Sequence, residues 1–557
     1  MNNLLFEKIN NLGLQEANQL LHQQCGIVEY FSSETEKQEF LKNHLFSPSL
    51  ICEERIEYGD WQTPQSLADK ICKNHKYKFG SPDIILEPTC GLGAFVLSSL
   101  KHFPNAKEIH AIEINDKYLC ELKYKILLNA ISCPSSKYPD IYLYKADFFK
   151  FDLSSIFEKI RRLNWKLALI GNPPWVTNSK QGRLSSTNVP IKSNKHKLRG
   201  IDAITGKSNF DISEFITLDL LQQAQECNGG ISFLLKNSVI RNIISKQKTN
   251  NLSINDIEQF NIDASKEFQV SVEASCFTAK FNSPPSLKCK VLNLYTEKEE
   301  NEYGWSKDVF VSNITNYKKY SAYCGNSSFI WRSGIKHDCS SILEISQQDD
   351  KFIKGLGEEV NIESDLLYPL LKSSDINKYN KDFVIKKYVL IPQHRIGQDT
   401  SELAYTHPLT YKYLLAHEDF FRNRRSSIYR DKDKFSMFGL GLYTFKPYKI
   451  EISSLYKNLN FVLLSKYNEK PIIVDDTCYQ LDFDTFEEAN SVISALQSPE
   501  ISGLLNSLVF YDAKRIITKS LLMKIDLIHY FKEKGIMLKG TFKKNGWSKQ
   551  LSLFDNI

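Results

Sequence analysis

Residues 172–175 read Asn-Pro-Pro-Trp and close an apolar run from Lys166 to Gly171. That quartet suits one demanding task, making a nucleophile of an exocyclic aromatic amine. An amino group such as adenine's reacts poorly because its lone pair is delocalised into the ring, so two acceptors must draw its hydrogens aside. The side-chain oxygen of Asn172 and the carbonyl of Pro173 can each accept one hydrogen, favouring a pyramidal nitrogen whose lone pair faces an electrophile. Pro173 and Pro174 lack N–H donors and have restricted φ, so the Pro173 carbonyl is offered to a ligand rather than to a strand ladder. Trp175 supplies a flat face on which a base can stack. As a bland alternative, the quartet is a strand-ending turn with a buried aromatic.

A second group of residues could hold the electrophile. Gly91 and Gly93 stand in ILEPTCGLGAF, after a β-rich run and before a helical one, where missing side chains let a nucleotide-like cofactor approach the backbone. Glu113 follows about 20 residues later, at the distance where an acid accepts from ribose hydroxyls. Asp147 and Phe148 close the next β-rich run, suited to an amino group and a ring face. The residue three after Gly93 is Val96, not the third glycine of a dinucleotide turn, which disfavours a nicotinamide cofactor. Glu87, beside the glycines, adds the negative charge that a cofactor bearing a sulfonium and an α-ammonium attracts. S-adenosylmethionine carries both. None of the twelve cysteines lies two to four residues from another, so no metal site is expected.

Elements must bring these groups together. Between Asp83 and Phe281 short β-rich runs alternate with helical ones, predicting a parallel sheet covered on both faces. The strands are expected at DIIL from Asp83, EIHAIEI from Glu108, IYLYKA from Ile141, KLALIG from Lys166 and GISFLL from Gly230, with a pair near 257–262 and 274–281. Ile212, Phe215, Ile216 and Leu220 recur on one face of a helix after Asp211. The acid, the Asp-Phe pair and the Asn-Pro-Pro-Trp quartet then all fall at strand carboxyl ends, the edge where open α/β sheets bind ligands.

At 557 residues the chain exceeds one core. Four parts are expected: a helical N-terminal extension over 1–50 that covers the sheet, a catalytic domain over 51–295, a linker over 296–330 rich in Ser, Lys, Glu and Asn, and a further domain over 331–557. With 42% hydrophobic and 24% charged residues, disorder is excluded. The net charge of +6 is compatible with a polyanionic partner. A start without a basic-then-apolar leader, and no run of about 18 apolar residues, predict a cytoplasmic protein with no membrane contact.

Together these motifs resemble, in order and over most of the chain, the gamma group of amino-methylating DNA methyltransferases. WQTPQSLADKIC resembles the motif before the glycine loop, which assigns Thr63 to the amino-acid end of the cofactor. EPTCGLGAF, with Cys90 inside it, is similar to the methionine-binding loop, AIEIND to the ribose-binding acid, and ADFF to the adenine-binding pair. SNFDISEF resembles the segment whose Phe215 lies near the cofactor, and SKEFQVSVEASCFT the one whose Phe268 packs on the target adenine, bracketing it with Trp175. The resemblance implies an α/β Rossmann-like S-adenosylmethionine-dependent sheet, a C-terminal mixed α+β target-recognition domain, double-stranded DNA as substrate, a flipped base and a separate restriction endonuclease as partner.

DNA contacts are expected in two regions. The segment from Ser179 to Lys207 holds seven Lys and Arg against one Asp, naming Arg183, Lys195, Lys197 and Arg199. In the C-terminal part, Arg422, Arg424, Arg425, Lys514 and Arg515 are interleaved with aromatics. Rival readings keep the fold and change the substrate to RNA, cytosine N4 or a protein glutamine, or make the chain a DNA-binding subunit without activity. The long basic, aromatic-rich C-terminal part argues for DNA, and the intact quartet against silence.

Overall fold

A computed structural model describes residues 2–46, 61–133, 137–176, 211–348, 351–354, 357, 359–380 and 382–536. The expected runs form seven neighbouring strands of a ten-stranded sheet: β1 (Ile84–Glu87), β2 (Glu108–Glu113), β3 (Asp140–Lys145), β4 (Lys166–Gly171), β5 (Asn228–Lys236), β6 (Asn255–Asn261) and β7 (Ala274–Lys280). Their order is 3-2-1-4-5-7-6. β1 to β5 are mutually parallel, and β7 runs against both β5 and β6. All four residues of β1 are buried, as are the last five of β4, which is why these strands read as unbroken apolar runs.

The connections carry α4 (Gln65–Phe79) before β1, α5 (Ala94–His102), α6 (Asp116–Ser132), α7 (Ser154–Leu163), α8 (Ile212–Gln223) and α9 (Asn237–Asn250). From β1 the chain winds outward to β2 and β3, then returns to the other side of β1 as β4. The carboxyl ends of β1 and β4 therefore flank the point where strand order reverses, the place for a ligand crevice in open α/β sheets.

Helices α1 (Asn2–Asn11), α2 (Leu14–Cys25) and α3 (Glu34–Phe46) precede the sheet and join its core. The Val28 N–H donates to the Ile141 carbonyl at 3.0 Å and the Ile141 N–H to the Gly26 carbonyl at 2.7 Å, so the N-terminal segment caps the exposed edge of β3. Tyr30, Phe31 and Phe40 pack edge to face and belong to the same buried cluster as Leu122 and Ile141.

The stretch expected as a linker is structured. β8 (Lys288–Asn293), β9 (Glu299–Ser306) and β10 (Val309–Val311) extend the sheet beyond β6, and the division between two compact units falls after Phe310 rather than at 331. In β8, buried Cys289 and Val291 alternate with exposed Lys288 and Lys290. Within the expected linker, Glu299 and Glu300 at the start of β9 are exposed, whereas Tyr303 and Gly304 further along it are buried.

The second unit, Val311–Ile557, mixes helices with two sheets. A four-stranded sheet orders β11 (Arg332–Ser333), β19 (Cys478–Phe483), β16 (Tyr448–Ser453) and β17 (Phe461–Leu464). A five-stranded sheet orders β13 (Lys351–Lys354), β12 (Glu344–Gln348), β15 (Lys387–Leu390), β14 (Leu367–Leu371) and β18 (Ile473–Val474). The mixed α+β expectation for this part holds. Among the described residues no helix is long and apolar enough to cross a membrane, and the eleven cysteines are all free thiols.

Candidate active site

The turn after β1 is held by glycine for two separate reasons. Gly91 has φ +51° and Gly93 φ +80°, conformations that disfavour any residue with a Cβ. A Cβ on Gly91 would lie 2.7 Å from Gln62 Oε1, whereas one on Gly93 would lie 2.0 Å from Leu122 Cδ1. Both glycines therefore answer to neighbouring side chains, Gly91 to Gln62 and Gly93 to the packing of α6. Cys90 is buried, and burial pushes its thiol well above the ordinary range. Glu113 fastens the turn to the end of β2: one carboxylate oxygen accepts the Gly91 N–H and the other the Asn115 N–H, each at 2.8 Å.

Glu87 ends β1 and is only 2% exposed. Its Oε2 has no hydrogen-bond partner, and its Cγ lies 3.5 Å from where a Cβ on Gly171 would stand, one residue before Asn172. Burial first, and then the nearby Glu113 carboxylate, raise its pKa well above the carboxylate range, against a hydrogen bond from the Val96 N–H. The sequence reading gave Glu87 a standing negative charge. In this structure burial and Glu113 disfavour that charge, and a neighbouring cation would favour it.

Beyond β3, Asp147 Oδ1 accepts the Phe149 N–H at 3.0 Å and Asp147 Oδ2 lies 3.5 Å from Lys150 Nζ. Phe148 is buried. Phe215, on α8, meets Phe149, with ring centroids 5.6 Å apart. Phe149, missed in the sequence, is the second of two adjacent phenylalanines and meets Phe148 edge to face, 5.9 Å between centroids.

At the end of β4 the Asn172 Nδ2 donates to the Trp61 carbonyl at 2.8 Å and to Thr63 Oγ1 at 3.2 Å. Its Oδ1 is buried and has no partner. Pro173 is buried and Pro174 partly so. Trp175 Nε1 donates to the Leu234 carbonyl at 3.2 Å, and its ring meets Phe268 edge to face, 5.1 Å between centroids at 68°. That contact leaves no slot between the two rings, so the expected bracket of a base by Trp175 and Phe268 is absent from this arrangement. Both rings are 7% exposed.

Two residues outside the expected set anchor the quartet. Lys236 Nζ donates to the Trp175 carbonyl at 3.3 Å and pairs with Asp211. Asp211 caps α8 through the Ser213 N–H at 3.1 Å, and the Ile212 N–H donates to the Val176 carbonyl at 2.9 Å. A lysine at a strand end 61 residues away carries no local signal.

The structure therefore brings Glu87, Cys90, Gly91, Glu113, Thr63 and Asn172 to the crevice edge, linked through the Gln62 and Trp61 contacts. Arg183, Lys195, Lys197 and Arg199 lie outside the described residues. In the second unit, Arg424 is not free for phosphate. Its guanidinium donates to the carbonyls of Phe421 (3.0 Å), Ser436 (2.6 Å), Lys434 (2.9 Å) and His337 (3.4 Å), and lies 3.7 Å from the centroid of the Tyr429 ring. Arg422 is held by Glu418 at 2.7 Å but remains exposed. Arg425, Lys514 and Arg515 are exposed. Among the described residues no group of three His, Cys, Asp or Glu could hold a metal ion.

No family model matches the chain. The Type II methyltransferase M.NspV of Nostoc sp. is 42% identical over 476 residues, 85% of this chain and 97% of that protein. Among solved structures, the Type IIL restriction-modification enzyme MmeI in complex with DNA aligns with a TM-score of 0.51 at 11% identity, over 83% of this chain and 64% of that longer one. The second likeness speaks for the fold.

Proposed function

The chain belongs to the type II methyltransferases of restriction-modification systems, and on that premise we propose that it methylates the N6 amino group of an adenine flipped out of double-stranded DNA. S-adenosylmethionine, the proposed cofactor, supplies an electrophilic methyl when bound. The residues present fit it: a buried acid with a partnerless oxygen at Glu87, a side-chain-free turn at Gly91 and an acid at the end of β2 in Glu113. Glu87 would meet its positive charge and Glu113 its ribose, while Asp147, Phe148 and Phe215 would line its adenine.

The observation that carries this reading is the buried, partnerless Oδ1 of Asn172. A buried acceptor left unpaired costs about 1–3 kcal/mol, a cost relieved when an amino hydrogen is donated to it. With the Pro173 carbonyl as second acceptor, the pair would pyramidalise the amine and aim its lone pair. Trp175 would stack the base on one face, with Phe268 swinging away from its edge contact to admit it. The second unit would recognise the target sequence, and a separate endonuclease would be the restriction partner.

The test is to incubate the purified chain with duplex DNA and methyl-labelled S-adenosylmethionine, digest the DNA and separate the nucleosides. Label in N6-methyl-2′-deoxyadenosine is expected. Label in N4-methyl-2′-deoxycytidine alone, or none in the DNA, would refute the adenine assignment.

A further inference from the structure

Three consecutive residues, Trp61, Gln62 and Thr63, touch both halves of the crevice. Thr63 precedes a proline, which drives it toward extended backbone, and in extended chain successive side chains alternate in direction. Gln62 Oε1 accepts the Leu92 N–H at 2.9 Å in the glycine turn. The flanking residues face Asn172 instead, through the Trp61 carbonyl at 2.8 Å and Thr63 Oγ1 at 3.2 Å.

A backbone carbonyl can only accept a hydrogen bond, so the Asn172 group facing Trp61 must be the amide nitrogen. That leaves Oδ1 on the opposite side, buried and without a partner. Turned the other way, the amide would set oxygen against the Trp61 carbonyl and present N–H groups to an incoming amine, donor against donor. Resting on the reading that Asn172 accepts the substrate amine, we infer that Thr63, together with the Trp61 carbonyl, is a positioning residue that holds Asn172 with its oxygen toward the substrate, while Gln62 serves the cofactor turn. The family resemblance placed Thr63 on the cofactor, so the two assignments predict different kinetics.

The experiment compares Thr63→Val, Thr63→Ser, Gln62→Leu and Asn172→Asp with wild type. Single-turnover methyl transfer is measured at saturating cofactor, and S-adenosylmethionine affinity by calorimetry, which also reports folding. Thr63→Val is expected to lower the saturated rate about five- to tenfold, the worth of one neutral hydrogen bond, with cofactor affinity and DNA KM within about twofold. Thr63→Ser should restore the rate. Gln62→Leu should weaken cofactor binding. Asn172→Asp keeps acceptor oxygens but has no N–H for Trp61, and should lose roughly a hundredfold or more in rate. Weakened cofactor affinity with an unchanged saturated rate in Thr63→Val would return Thr63 to the cofactor and overturn the inference, as would wild-type behaviour in both assays. Wild-type protein that transfers no methyl to DNA would overturn the catalytic reading and the inference with it.

Discussion

If Glu87 is neutral until a cationic cofactor arrives, binding must expel a proton. The carboxyl sits at the end of β1 with 2% of its surface exposed, Oε2 unpaired and the Glu113 carboxylate adding to the effect of burial. Both influences raise its pKa well above the usual carboxylate range, so the free protein favours the protonated form. A positive charge in contact with the carboxylate is worth about 4 kcal/mol at an effective dielectric of ~20, about a thousandfold in binding, and it favours the ionised form. The free state then holds one proton more than the bound state. Affinity rises with pH by up to about tenfold per unit and levels off once Glu87 ionises without cofactor.

Calorimetric titration of S-adenosylmethionine in buffers of differing ionisation heat, between about pH 6 and pH 8, counts the protons released. Wild type should release close to one more proton than Glu87→Gln, which has nothing to lose at that position. The comparison cancels the cofactor's own amino group. S-adenosylhomocysteine, without the sulfonium charge, should release fewer protons from wild type. Equal proton release in wild type and Glu87→Gln would refute the reasoning and put the cation elsewhere.

Glu113→Ala removes the acceptor for both the Gly91 and Asn115 N–H groups, each charge-assisted bond worth about 1.5–3 kcal/mol. Cofactor affinity by calorimetry should fall at least about tenfold, and unchanged affinity would separate Glu113 from the site. Gly93→Ala meets a left-handed backbone and Leu122, so thermal unfolding should show a loss of more than about 2 kcal/mol, partly recovered in Gly93→Ala/Leu122→Ala. Glu451, on β16, is fully buried with both carboxylate oxygens unpaired, and burial raises its pKa. Its unfolded form ionises first, so stability from this group is complete below the ordinary carboxylate pKa and is lost as pH rises toward the raised folded value. The unfolding-temperature advantage of Glu451→Gln over wild type should therefore grow from about pH 5 to pH 8, and a constant difference would contradict the assignment.

The central sheet was legible because its strands are buried on both faces. Ile84 to Leu86 and Leu167 to Ile170 are apolar without interruption, and glycine turns or polar caps bound them. β8 to β10 escaped notice for the converse reason. Few of their residues are apolar and buried, and the exposed Lys288, Lys290, Glu299 and Glu300 resemble those of a flexible connector. Cys289 and Val291, buried between exposed lysines, carried the strand signal.

Within the site, residue types could be read but their partners could not. Chemistry demands an amide, a carboxylate or an aromatic at a strand end, and those demands survive in sequence as letters. Orientation comes from groups with no letter of their own. The Asn172 amide is turned by a backbone carbonyl 111 residues earlier, and Arg424 is immobilised by four carbonyls although its neighbours suggested a phosphate contact. Glu87 follows the same logic: its charge depends on how deeply β1 is covered and on Glu113 across the turn. One oxygen of a buried acid and a buried amide oxygen, each unpaired beside the same crevice, constitute a standing electrostatic demand, and a cation next to an amine donor is the pair of groups that meets both at once.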